Sequence, residues 1–338
     1  MALRVAFNAT PLLSPLTGIG NYIVQLGAAL AASGEVDLYS FYGGEWLREA
    51  PSPPVAGVRG PITATIRDAI KSVVPFKREL RQAHRQWKFV RGARRNAIAL
   101  YHEPNYVPFL ADAPVVITIH DLSWMRYPET HPRDRVRWLD HAMPRAIERA
   151  AAILVDSEFT RREVLTTFGI DPARVHTAHL GVSTAFRPRS DAETRPTLDA
   201  LGLVHGEYVL TVGTIEPRKN IRHVLEAYAR LPDATRKRHP LVIAGAKGWR
   251  AGDLEKALRA LVESGLIRFL GYVSDDDLPI LYAGAAAFVF ASMYEGFGLP
   301  PLEAMASGIP VLVADRTSLP EVTGDAALKL DPARPDET

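Results

Sequence analysis

The sequence predicts an α/β protein of two halves, each a Rossmann-like, doubly wound parallel sheet. Three observations carry this. Apolar runs rich in Val, Ile and Leu alternate with stretches of helical spacing, and continuous runs of that kind suit parallel strands covered on both faces. The alternation restarts after a polar, Pro-containing stretch, RPRSDAETRPTLDALG (187–202), read as the linker. The length of 338 residues exceeds one ordinary domain and suits two. The expected division is 1–187 and 188–338, with a cleft between the halves at the carboxyl ends of the sheets, where such folds bind ligands.

In the first half, LRVAFNA (3–9) is a buried strand, followed by a loop ending at Gly18-Ile19-Gly20 and a helix from Asn21 to Ala32. VDLYSFY (36–42), ALYHE (99–103), PVVITIHD (114–121) and AAILVDS (151–157) are further strands, with a helix near 134–150. Ser157 is placed to cap the next helix. In the second half the strands are YVLTVGT (208–214), LVIAGA (241–246), IRFLGYV (267–273), AAFVFAS (286–292) and IPVLVAD (309–315), with a helix over 220–231. A last strand precedes LDPARPDET, and a covering helix is expected beyond it.

Hydrophobic residues at 47% and charged residues at 23% fit a soluble globular protein. No apolar run approaches the ~18–20 residues that span a bilayer, and the N-terminus reads as a strand rather than a secretory leader. The absence of cysteine excludes disulfides, thiolate zinc sites and cysteine nucleophiles. A cytoplasmic protein is expected. Net charge is +2, but ten Lys or Arg fall between Arg67 and Arg95, opposed only by Asp68 and Glu79. Ile66, Ile70, Val73, Val74, Phe76, Leu80, Trp87, Phe89 and Val90 are interleaved with them. This stretch, 67–95, reads either as a basic, partly amphipathic helix on an anionic membrane surface, the inner face of the plasma membrane, or as a solvated Arg-rich helix. No motif supports nucleic-acid binding.

MYEGFGLPPLEAMASGIPVL (293–312) carries the most chemistry. Pro300 and Pro301 suit a first helical turn, which places Glu295 on the preceding loop and Glu303 in that turn. Gly296 and Gly298 let backbone amides approach a ligand, and the helix N-terminus favours an anion. Amides for phosphate beside two carboxylates for sugar hydroxyls make a nucleotide-sugar donor site. Glu303 alone also reads as a carboxylate favourably placed at a helix start. Asp275-Asp276-Asp277 contains a D-x-D metal pattern but reads better as acids opening a helix, and no cluster has metal-ligand spacing.

EGFGLPPLE resembles the E-x7-E motif of retaining GT-B glycosyltransferases, in particular family 4. The resemblance extends through the Gly-rich loop, His120-Asp121, SEFTRREV (157–164), GTIEPRKN (213–220), GYVSDDDL (271–278) and LPEV (319–322). VGTIEPRKN, AGAKGW and SMYEGFGLPPLEAMASGIPV are similar to O-antigen and exopolysaccharide mannosyl- or rhamnosyltransferases. The resemblance implies that Glu295 contacts donor-sugar hydroxyls, Glu303 holds the ribose, and amides at Phe297, Gly298 and Leu299 meet sugar or phosphate oxygens. Lys219, with Arg218 beside it, would neutralise the diphosphate, in preference to the pair being solvated charges. Thr214 stands where many relatives place an arginine. Gly18 and Gly20 would face the diphosphate, and Val273 would lie near the base. His120 would stabilise the developing positive centre through its carbonyl, although a polar residue at a strand end is also often structural. Asp121 reads as a loop or capping residue.

The implied reaction transfers a hexose, mannose first, from a nucleotide sugar to a lipid-linked saccharide or polysaccharide. It proceeds with retention, without an essential metal, and with no cofactor beyond the sugar nucleotide, GDP-sugar before UDP-sugar. Two rivals are weighed. A nicotinamide-dependent oxidoreductase needs GxGxxG after a strand, and Gly18-Ile19-Gly20 is followed by Tyr22 and Ile23 instead. A non-catalytic membrane-associated scaffold would not need Glu295, Glu303 and Lys219 intact.

Overall fold

The computed structural model describes residues 2–13, 18–51, 77–246, 262–263 and 265–336, with side chains in the 77–95 helix from 82 onward. The chain divides into two compact units. The first comprises 1–119, 141–154 and 172–176; the second comprises 120–140, 155–171 and 177–338.

The first unit is organised by a seven-stranded sheet of order β3-β2-β1-β4-β5-β6-β7. Its strands are β1 (Leu3–Asn8), β2 (Val36–Tyr42), β3 (Glu45–Leu47), β4 (Leu100–Glu103), β5 (Val115–Ile119), β6 (Ala150–Val155) and β7 (Val175–Thr177). β1 pairs parallel with β2 and β4, and β4 with β5. The short β3, unpredicted from sequence, folds back antiparallel on β2 across Gly43-Gly44, both at positive φ. Helix α1 (Gly18–Ala32) places Ile23 in a core with Val5, Phe7 and Leu38.

Helix α2 (Lys77–Arg95) is the described part of the basic stretch; residues 67–76 lie outside the described residues. It corrects one expectation. Phe89 is not on an amphipathic outer face but fully buried, packed against Phe41, Trp46, Tyr101 and Phe109. Val90 is half-buried, and Trp87 is 54% exposed beneath the Arg91 guanidinium.

The second unit has a six-stranded sheet of order β10-β9-β8-β11-β12-β13, parallel throughout. Its strands are β8 (Val209–Val212), β9 (Leu241–Ala244), β10 (Ile267–Gly271), β11 (Ala287–Phe290), β12 (Val311–Ala314) and β13 (Leu328–Leu330). Leu210, Val242, Ile243, Phe288 and Val313 are fully buried at its centre. From β8 the chain winds outward through β9 and β10, then returns to place β11 on the other side of β8. The β8/β11 boundary is therefore the topological switch point, where such sheets bind ligands.

Between β5 and β7 lie α3 (Ser123–Arg126), α4 (Arg133–Arg149) and α5 (Glu158–Phe168), and α6 (Asp191–Ala200) follows β7. Ser157 caps α5 as expected, accepting the Thr160 amide. The stretch read as a linker contains α6, started by a capping box between Ser190 and Glu193 and anchored by buried Leu198 and Thr194. Its polar composition misled because only one face is buried. Then follow α7 (Ile221–Ala229), α8 (Asp233–Arg238), α9 (Leu278–Ala283), α10 (Leu299–Ala306) and α11 (Leu319–Thr323). Asp277 is the N-cap residue of α9. Among the described residues no helix is long and apolar enough to cross a membrane.

Candidate donor site

Two loops meet at the switch point of the second unit. The first leaves β8 through Gly213 and forms a single 3-10 turn, Pro217–Lys219, closed by Asn220 in the left-handed region at φ 54°. The second leaves β11 and runs through Ser292–Gly298 into α10. A main-chain bond joins them: the Met293 amide donates to the Arg218 carbonyl at 2.9 Å.

Four charged side chains interlock between these loops. Lys219 Nζ lies 2.6 Å from Glu295 Oε1. Arg218 reaches Glu216 Oε1 at 2.6 Å and Glu295 Oε2 at 3.4 Å, and also donates to the Tyr294 carbonyl. The side chains of all four are only 11–14% exposed. Burial alone would push the Glu295 carboxyl up, but the charges of Lys219 and Arg218 overcome it and hold the group below its ordinary value. Glu295 is thus an anion at neutral pH, in a network of two acids and two bases. Lys219 Nζ also lies 5.3 Å from the centre of the Phe290 ring.

The Glu295 loop is locked to the segments after β5 and β6. A Cβ on Gly296 would lie 1.8 Å from the His120 carbonyl oxygen, so only glycine permits this approach. The Gly296 carbonyl accepts from the Ser157 and Thr160 hydroxyls at 2.6 and 3.0 Å. The Tyr294 hydroxyl accepts the Leu122 amide at 3.0 Å and donates to Glu163. His120 is fixed by Nδ1, 2.8 Å from Asp156 Oδ2, and Asp121 accepts the Ser123 amide at 2.9 Å, a loop role as expected. His120 therefore lies beside the Glu295 loop, with its carbonyl against the Gly296 backbone.

Gly298, at φ 117°, is the N-cap of α10. The helix accordingly begins at Leu299, one residue before the two prolines, and Glu303 falls in the second turn rather than the first. It is half-buried, and burial pushes its carboxyl up to about 7, with Tyr282 and Asp275 beside it. Phe297 is buried, its carbonyl accepting from Ser318 at 2.6 Å. Val273 packs against the core of the second unit. Gly18 and Gly20 are not in a loop: they form the first turn of α1, in the first unit. Thr214 is exposed. Among the described residues no group of three His, Cys, Asp or Glu could hold a metal ion.

Glu216 escaped the sequence reading. Its place two residues before Arg218 in IEPRK is the signal that could have found it, because an acid that close in the chain can pair with a buried guanidinium.

Residues 16–186 match the model of Glycosyltransferase Family 4, and 202–337 that of Glycosyl transferases group 1. The chain is 40% identical over 337 residues to the O-antigen chain mannosyltransferase B of Escherichia coli, covering 98% of this chain and 87% of that one. It is 40% identical over 182 residues to the serotype-specific mannosyltransferase WbdA of Escherichia coli, spanning 52% of this chain but 22% of that larger one. A sucrose-phosphate synthase structure from Thermosynechococcus elongatus superposes with a TM-score of 0.69 over 99% of this chain and 87% of its own, at 19% identity, a likeness of fold alone. The chain belongs to glycosyltransferase family 4, has the two parallel-sheet domains of the GT-B fold, and is a glycosyltransferase.

Proposed function

We propose that this chain transfers mannose from GDP-mannose, with retention of anomeric configuration, to a lipid-linked saccharide in O-antigen-type polysaccharide synthesis. The observation that carries the proposal is the buried Lys219–Glu295 pair, 2.6 Å apart at the switch point of the second sheet. The mannosyl and O-antigen assignment is drawn from the mannosyltransferase relatives.

In this reading the diphosphate replaces Glu295 as the partner of Lys219 and draws on Arg218 as well. A fixed cation there stabilises the charge that develops on the leaving diphosphate. Glu295, an anion held below its usual range, accepts hydroxyl hydrogen bonds from the transferred sugar. The amides of Phe297, Gly298 and Leu299 face sugar or phosphate oxygens at the start of α10. Glu303 takes the ribose hydroxyls, and Val273 borders the base. His120, held by Asp156, offers its carbonyl to the electron-poor anomeric centre. The incoming hydroxyl attacks the anomeric carbon on the face the diphosphate leaves. The C–O bond to the nucleotide breaks, the new glycosidic bond forms, and the departing phosphate oxygen takes the hydroxyl proton. No protein nucleophile and no metal are needed.

The outer face of α2, with Arg85, Arg91, Arg95 and exposed Trp87, is suited to an anionic membrane that carries such an acceptor. The function is tested by incubating the full chain with GDP-mannose and a lipid-linked saccharide, with UDP-glucose as the competing donor. Transfer of an α-mannosyl residue from GDP-mannose, read by NMR of the product, is the expected outcome. Transfer from UDP-glucose alone would rule out the donor assignment, and a β-linked product would rule out retention.

A further inference from the structure

The segment after β12 backs the loop that carries Glu295. Thr317 Oγ1 accepts the Glu295 amide at 3.1 Å. The Ser318 hydroxyl, fully buried, lies 2.9 Å from the Glu295 carbonyl and 2.6 Å from that of Phe297. The Leu319 side chain comes within 2.6 Å of where a Cβ on Gly298 would sit. Three consecutive residues thus hold the amide, the carbonyls and the helix entry of one loop.

Thr317 is the unusual member. Its φ is 58°, in the left-handed region, where Cβ crowds the backbone and a β-branched residue is an outlier. Glycine would occupy this position without that conflict. Non-glycine residues at positive φ persist where the surroundings over-determine them, and such positions gather at functional sites. What threonine supplies and glycine lacks is the hydroxyl that receives the Glu295 amide. Without it, a buried amide would be left to find another partner, and the backbone that aims the carboxylate would turn with it.

We propose that Thr317 is a positioning residue for donor turnover: its hydroxyl fixes the main chain of Glu295 so that the carboxylate meets the transferred sugar. The proposal rests on the donor-site reading above. Thr317 acts through Glu295 and touches no substrate.

The test compares Thr317→Gly and Thr317→Ser in the full chain, with GDP affinity read by calorimetry and turnover by GDP release from GDP-mannose. Thr317→Gly should melt near the parent temperature and bind GDP as the parent does, because backbone crowding is relieved and the phosphate ligands are untouched. Its kcat should fall about tenfold, the effect of one lost hydrogen bond to a buried amide. Thr317→Ser, which keeps the hydroxyl, should recover most of that loss. Parental kcat in the glycine variant, or a serine variant as slow as the glycine one, overturns the proposal. So does a glycine variant that loses melting temperature and GDP affinity along with kcat, because the role is then structural. Parental turnover by Glu295→Gln would instead sink the donor-site reading itself.

Discussion

Lys219 Nζ and Glu295 Oε1 lie 2.6 Å apart, on loops that leave adjacent parallel strands, and each side chain is about nine-tenths buried. A buried pair of this kind is weak evidence for stability, since desolvation offsets much of the attraction. In the proposed function the pair opens at the β8/β11 switch point, Lys219 turning to the diphosphate and Glu295 accepting hydrogen bonds from the sugar hydroxyls.

Lys219→Ala should weaken GDP binding by about ten- to a hundredfold, the worth of one charge-assisted phosphate contact in a shielded site. Isothermal calorimetry checks this. Unchanged affinity would remove Lys219 from the phosphate site. The variant should also melt lower, because Glu295 keeps only Arg218 against burial.

Gly296→Ala should lower stability by about 1–3 kcal/mol or more, since its Cβ would fall 1.8 Å from the His120 carbonyl and neither backbone can yield cheaply. Thermal melting reads the effect. A parental melting temperature would show that the loop does not press on His120 as described.

Glu103, at the end of β4 in the first unit, is fully buried and accepts from Asn8, Tyr101 and the Asn105 amide. Burial pushes its carboxyl up to about 8 from an ordinary value of 4.5. The native state therefore holds a proton that the unfolded state has lost across that window, and stability from this group falls as pH rises through it. Melting curves from pH 5 to 8.5 should show Glu103→Gln gaining on the parent as pH increases. A constant difference would contradict the raised pKa.

Glu303 titrates near 7, so as a ribose ligand it accepts hydroxyl hydrogen bonds best once deprotonated. GDP affinity should rise between pH 6 and 8 in the parent more steeply than in Glu303→Gln, where this group cannot ionise. Parallel pH profiles would separate Glu303 from the nucleotide.

The strands were legible because both faces of each sheet are covered, which writes apolar runs such as LVIAG and AFVFA directly into the chain. The donor loop was legible because glycines, prolines and glutamates fall together in EGFGLPPLE. The helix at Asp191–Ala200 was hidden by its half-solvated surface, and β3 by its three-residue length. Glu303 falls just past the expected first turn because Gly298 caps α10 and the helix begins at Leu299, one residue before the prolines. Thr317 and Tyr294 could not be read at all: their roles depend on a hydroxyl meeting a backbone amide far away in sequence, and no local pattern encodes that.

The central assignment, Glu295 as the ligand of the transferred sugar, is tested most directly by Glu295→Gln, which keeps the shape and removes the charge. Turnover of GDP-mannose should fall by at least about a hundredfold, with GDP still bound measurably by calorimetry. Turnover near the parental rate would contradict the assignment.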